Sequence, residues 1–353
     1  MQTYIVYFSA LLSSVGLAYF GQKKNKKKYL IFAALILSLI AGLRANNVGV
    51  DTPNYLKLFT YIADGQLDLA YGLETSFKYI CAFLLGIWNH PNFLFTVFAL
   101  ITNILIFSRL WDLKEYISIP WAVIVYWGVF YFATLNILRQ YIAVAIIFFA
   151  TKYIVKRNYA RFILCVFLAS LFHKSALIGI AFIIFDIFAW RRLTPKQKRI
   201  IRTFLTIVPI VAIIFGTVII GRYAAYFENP EWNIGLLLPM KFVIFAFTAI
   251  LMVGEYRYSS ECAEHKEEVY LARTTNIYYA LGILVTSIGY MFTFMDRVGL
   301  YFYLFETVYI GRVMKSKHVG LFRFAVAALY LMLLLISIFG NGQGQGNYLF
   351  IWQ

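Results

Sequence analysis

Charge is in short supply in this chain, and acidic charge most of all. Only 14% of the 353 residues are charged, with 16 Asp and Glu against 32 Lys and Arg. A soluble domain is about a quarter charged and about half apolar. Here 62% of residues are hydrophobic, and they run in long blocks rather than amphipathic stripes. That excludes an ordinary soluble domain and leaves an all-α polytopic membrane protein. Cysteine is sparse as well. Cys81, Cys165 and Cys262 are odd in number and widely spaced, which argues against a disulfide framework or a zinc site. Familiar catalytic signatures are missing: there is no G-x-S-x-G elbow, no Walker loop and no Cys or His pair at metal spacing. No D-x-D occurs either, which disfavours a cytoplasmic nucleotide-sugar enzyme, so neither metal nor cofactor is expected. Nucleic-acid motifs are absent too. The net charge of +16 collects in short loops, where it sets helix orientation and meets anionic lipid.

What is there is a succession of apolar runs, near 3–20, 29–43, 74–89, 92–110, 119–137, 140–155, 161–172, 175–190, 203–221, 239–254, 274–293, 298–311 and 320–340. The first lacks a basic leader and a small-residue cleavage site and reads as a retained helix. Basic loops at 23–28, 156–161, 191–202 and 311–318 should be cytoplasmic, with the mixed loop at 255–273 beside them. This puts the N-terminus outside. Five runs lie between the first two basic loops, and an odd number of crossings cannot return the chain to one side. The run at 74–89 opens on Glu74 and Lys78 and is the best candidate for a re-entrant or surface-lying segment. About twelve crossings remain (11 to 13), in one integral membrane domain over 1–353. Outer-face loops are expected at 44–73, with an amphipathic helix, and at 222–241, while the Gly-rich stretch at 340–347 reads as a flexible, exposed tail.

Polar residues at helix ends fall on the outer side: Arg44 and Asp51, Arg139 and Gln140, His173 and Lys174, Asp296 and Arg297. Singly, each has a bland explanation. Arginines snorkel to headgroups, a lone His is commonly a bonded packing residue, and an Asp beside an Arg is commonly a surface pair. Together they are harder to dismiss, because the outer face should carry few Arg. An outer-leaflet anion accounts for them. Arginine grips phosphate through a planar fork that never loses its proton, and Asn136 is placed to cap the helix that Arg139 begins. His173 is placed to take a proton from an attacking hydroxyl. Glu306 lies inside an apolar run and should bond to a Tyr or Thr of a neighbouring helix, with a transporter's proton relay as the alternative. Asp186 reads as interfacial.

Three stretches then carry a resemblance. "RANNVGVDTPNYLKLF" at 44–59, "LRQYIAVAIIFFATKYIVKRNYARFILCVFLASLFHKSALI" at 138–178 and "MDRVGLYF" at 295–302 are similar to the EpsG-type, Wzy-like polymerases of bacterial exopolysaccharide, capsule and O-antigen synthesis. The matching positions are Arg44, Asp51, Asn54, Tyr55, Arg139, Gln140, His173, Ser175, Asp296 and Arg297. The resemblance implies a GT-C-like glycosyltransferase in the bacterial cytoplasmic membrane, with its site on the outer, periplasmic side. It implies an undecaprenyl-pyrophosphate-linked oligosaccharide as substrate, membrane lipid as surroundings and room for a chain-length regulator. In that reading His173, Arg139 and Arg297 are catalytic, while Arg44, Asp51, Asn54, Tyr55, Gln140, Lys174, Ser175 and Asp296 bind substrate. An O-antigen ligase or another lipid-linked glycosyltransferase is the enzymatic alternative, and a lipid-linked oligosaccharide flippase the non-enzymatic one.

Overall fold

A computed structural model describes residues 2–190, 237–252, 266–289 and 293–352, and every regular element among them is a helix. In chain order the elements are α1 (Gln2–Lys24), α2 (Lys28–Gly42), α3 (Thr52–Ala63), α4 (Thr75–Ile87), α5 (Pro91–Asp112), α6 (Ile119–Thr134), α7 (Leu138–Val155), α8 (Tyr159–Ser170), a 3₁₀ segment at Lys174–Gly179 running into α9 (Ile180–Trp190), α10 (Leu237–Leu251), α11 (Lys266–Gly289), α12 (Thr293–Tyr303), α13 (Glu306–Lys315) and α14 (Phe322–Phe339). Among the described residues α1, α5, α7 and α14 are long and apolar enough to cross a membrane. The chain is a helical membrane protein.

Small residues let the first helices pack closely. Ala33, Ala34, Ser38 and Ala41 are buried on α2, the composition expected where helices approach without a hydrophobic drive between them. Polar rungs cross the interface: Asn103 donates to the Ser38 hydroxyl (3.0 Å) and accepts from the Tyr126 hydroxyl (2.7 Å). Tyr126 opens a π-helical stretch of α6, Tyr126–Tyr131. That extra residue per turn accompanies the burial of Tyr126, Trp127, Phe130 and Tyr131.

Contacts identify the two ends of the bundle. At one end Gln22 donates to the carbonyls of Lys114 and Ile117, and Lys315 donates to that of Glu115. At the other end Arg44 reaches the carbonyl of Leu135, and Asn92 donates to those of Gly42 and Arg44. The second end also holds α4. Glu74, just before α4, pairs with Arg139, and Asn92, five residues past its close, joins the Arg44 loop. Thus the residues flanking α4 on both sides contact the same end of the bundle.

Other expectations are corrected. The stretch after α14 is docked rather than loose. Tyr348 is buried, its N–H donates to Thr3 Oγ1 and its hydroxyl to the Ile40 carbonyl, and an antiparallel bridge pairs Arg44 with Phe350. Glycine serves close approach here: Gly344 has φ +72°, and a Cβ would lie 2.8 Å from Val50 N. Asp186, read as interfacial from its place near Arg191, is fully buried within the protein. Packing of α9 on α11 brings the Tyr270 hydroxyl to its carboxylate, and the Tyr159 hydroxyl donates from α8 (2.7 Å). The mixed loop at 255–273 is already helical from Lys266, because Lys and Glu extend a helix beyond its apolar stretch. The expectations at 191–202 and 203–221, and most of the loop at 222–241, lie outside the described residues.

Candidate active site

The site grows from the residues after α2. Gly49 has φ +96°, and a Cβ there would meet Thr52 Oγ1 at 2.7 Å. The reversal lets Thr52 bond back to the Val48 carbonyl (2.6 Å), and Pro53 starts α3 where its missing N–H is harmless. Asp51, Asn54, Tyr55 and Leu58 then share one face of α3, at the i, i+3, i+4, i+7 spacing. All four line a cavity of about 260 Å³, together with Tyr71, Gly72, Leu73, Ile137, Arg139, Gln140, His173 and Arg297. Segments far apart in sequence thus supply one concavity. Phe59 points away into the core, against Phe95.

Arg139 lies at the start of α7. Its guanidinium pairs with Glu74 and donates to the Gly72 carbonyl (3.0 Å), yet its buried Nε has no partner among the described residues. Gln140 donates through Nε2 to the Arg297 carbonyl, which fixes α12 against α7, and its buried Oε1 is likewise unpartnered. Buried polar atoms are nearly always bonded, so such orphans mark places for a ligand or water. Asn136 does not cap α7. Its amide instead bridges the docked tail and α3, donating to Gln343 and accepting the Asp51 N–H (3.2 Å).

His173 caps the 3₁₀ segment. Its Nδ1 accepts the Ser175 N–H (3.3 Å) and lies 2.7 Å from the Ser175 hydroxyl, which is 2.9 Å from the hydroxyl of buried Tyr301. Burial holds the His173 pKa below its ordinary value; Glu74 opposes that shift, and Arg139 and Arg297 add to it. With Nδ1 accepting the Ser175 N–H, the ring is the neutral tautomer whose proton is on Nε2.

The remaining candidates divide. Ser175 bonds to His173 and does not line the cavity. Lys174 is exposed and contributes its backbone N–H to Glu74 (3.2 Å), and Asp296 is exposed and outside the lining. Arg44 departs furthest from the anion-binding role expected of it. It is 1% exposed, donates to Thr52 Oγ1 and to the carbonyls of Ala41 and Leu135, and stacks 4.3 Å from the Phe95 ring. Its fork is spent on holding the loop, although burial lowers its pKa only to about 10 and leaves it charged. Sequence reasoning missed Glu74 and Tyr301 as site residues. Glu74 was visible as an acid opening an apolar run, and Tyr301 lay within the third matching stretch.

The cavity is smaller than the roughly 300–1,000 Å³ pockets that enclose drug-sized ligands. It suits the charged junction of a larger substrate rather than its whole length. Two guanidiniums, a neutral imidazole donor and the Asp51 carboxylate meet there, a set able to hold an anion and move a proton.

The sequence model of the EpsG family matches residues 4–351. No curated protein and no solved structure matches the chain.

Proposed function

The chain belongs to the EpsG family, and from that premise we propose that it is a polymerase joining undecaprenyl-pyrophosphate-linked oligosaccharide repeats into a surface polysaccharide. Membership of the family makes it a glycosyltransferase-type polysaccharide polymerase in coarse terms. The lipid-linked donor, the reaction at the outer face of the bacterial cytoplasmic membrane and a fold of about twelve crossings are our reading. One observation carries it: Arg139, Arg297 and His173, from three separate segments, line one cavity, and beside it the buried Arg139 Nε has no partner among the described residues. A pyrophosphate would satisfy that donor. Positive charge held in place before the reaction stabilises the leaving group as its bond to the anomeric carbon breaks. The Arg residues supply this charge themselves, so the transfer is proposed to need no metal.

A flippase would carry usable cations along its depth. Among the described residues, Arg44 is bonded to its own loop and Lys241, on α10, to Glu306 (3.0 Å), so neither is free for a passing anion. A ligase would share the donor site and differ in acceptor. The test is to reconstitute the purified chain in liposomes with a polyprenyl-pyrophosphate-linked repeat, without metal or nucleotide, and to read the product on a gel. A ladder is expected, reduced at least about hundredfold by Arg139→Ala or Arg297→Ala. Movement of the lipid across the vesicle without a ladder would overturn the enzyme reading, and a single transfer to a lipid A core would make it a ligase.

A further inference from the structure

In the transfer the acceptor hydroxyl gives up a proton, and the hydrogen bonds of His173 make that ring a poor recipient. A backbone N–H can only donate, so the Ser175 N–H fixes the lone pair on Nδ1. The Ser175 hydroxyl, held by Tyr301, approaches the same nitrogen. The neutral ring has one proton, and it is on Nε2, the nitrogen left for the cavity. Toward a substrate His173 is a donor.

The carboxylates around the cavity are not equivalent. Glu74 is engaged by Arg139 and by the Lys174 N–H. Asp296 lies outside the lining. Asp51 lines the cavity and is half-buried. Its backbone N–H is tied to Asn136, while its carboxylate makes no hydrogen bond or ion pair among the described residues; it does not even cap α3. The groups around it are Tyr55 from its own helix, Arg139 from α7, His173 from the turn after α8 and Arg297 from α12, with Glu74 behind Arg139.

We propose that Asp51 is the general base of the transfer and that His173 donates a hydrogen bond from Nε2 to the leaving pyrophosphate. This rests on the polymerase reading. The acceptor hydroxyl passes its proton to the Asp51 carboxylate as its oxygen bonds to the anomeric carbon. The bond from that carbon to the pyrophosphate breaks, and its electron pair leaves with the pyrophosphate, which Arg139, Arg297 and His173 Nε2–H receive. Ser175 and Tyr301 are positioning residues that set which nitrogen of His173 carries the proton.

The experiment measures three things for wild type, Asp51→Asn, His173→Gln and His173→Ala: ladder formation, its pH profile, and binding of the polyprenyl-pyrophosphate donor. Asp51→Asn is expected to lose at least about hundredfold in rate while binding donor as well as wild type, which also reports that it folds. His173→Gln keeps an amide N–H where Nε2–H stood, so it should outperform His173→Ala and retain the acid-side fall in rate. Asp51→Asn within about threefold of wild type, or an acid limb that disappears in His173→Gln and persists in Asp51→Asn, would return the base role to His173 and overturn the inference. An inactive wild type would instead count against the polymerase reading itself.

Discussion

Two charged clusters among the described helices are bonded in opposite ways. Around Glu306 every group has a partner. Its carboxylate is fully buried, pairs with Lys241 (3.0 Å), and accepts from the hydroxyls of Tyr279 (3.1 Å) and Tyr330 (2.5 Å), while Lys241 also donates to Tyr303 (2.5 Å). Around Arg139 the bonding among the described residues is incomplete: Arg139 Nε and Gln140 Oε1 have no partner there, and the Asp51 carboxylate is uncommitted. A charge taken out of water must be paired or shift to neutral. The Glu306 cluster meets that demand within the protein. The Arg139 cluster meets half of it and leaves the rest to a ligand. An intramembrane carboxylate is a functional suspect on sequence grounds, yet saturated bonding makes Glu306 a pin between α10, α11, α13 and α14.

The largest effect should come from breaking that pin. Lys241→Met leaves Glu306 buried without its counter-charge, and losing one partner of a buried pair costs about 3–5 kcal/mol. Thermal denaturation in detergent should show a pronounced drop in Tm, with part of the loss recovered in the Lys241→Met, Glu306→Gln double variant. The contrast with Arg139→Ala is the point. That variant should abolish the ladder with a much smaller change in Tm. If Lys241→Met is stable and inactive instead, the Glu306 cluster belongs to the chemistry and the contrast fails.

Arg44 tests the same distinction at one residue type. Lysine keeps the charge and loses the fork that serves three acceptors. An unsatisfied buried acceptor costs about 1–3 kcal/mol, so Arg44→Lys should lower Tm while donor binding per folded molecule stays as in wild type. A selective loss of donor binding with Tm unchanged would make Arg44 an anion ligand after all.

These cases show what the sequence could and could not reveal. The convergence of 44–59, 138–140, 173 and 297 was legible, because basic loops fix which helix ends share a side and Arg is unexpected on the outer one. Face register was legible in α3 from its spacing. Whether an Arg is spent or available was not, since the answer lies with carbonyls that no side-chain pattern announces; Leu135, 91 residues from Arg44, is one. The Lys241–Glu306 pair hid for the same reason, with its members 65 residues apart on separate helices. Composition misled about the tail: its glycines suggested freedom, whereas Gly344 permits backbone to lie against backbone.

That docking gives a smaller, graded test. The tail's Gln343 holds Asn136, and Asn136 holds the Asp51 N–H. Gly344→Ala puts a Cβ into Gly49 and Val50 at a positive φ, a strain of about 1–2 kcal/mol before the clash is counted. The tail should shift and release Asn136. The expected result is a rate lowered severalfold with donor affinity kept, because Asp51 moves while Arg139, held by Glu74, does not. Equal losses in rate and affinity would place the tail's influence on the whole cavity.

The smallest effect concerns His173, which is half satisfied: Nδ1 is bonded and Nε2 is not. Ser175 donating to Nδ1 favours the neutral ring, so Ser175→Ala should raise the His173 pKa toward its ordinary value. The chain has four His, so labelled-histidine NMR with a His173→Gln control can assign the titration. The sign for stability follows from the depressed pKa. Between that value and about 6.5 the unfolded chain binds more protons than the folded one, so stability falls as pH falls through the window. Ser175→Ala narrows the window and should flatten that part of the Tm profile. An unchanged titration would mean that burial and the charges of Glu74, Arg139 and Arg297 set the ring's charge, and that the Tyr301–Ser175 chain only aims Nε2 at the cavity.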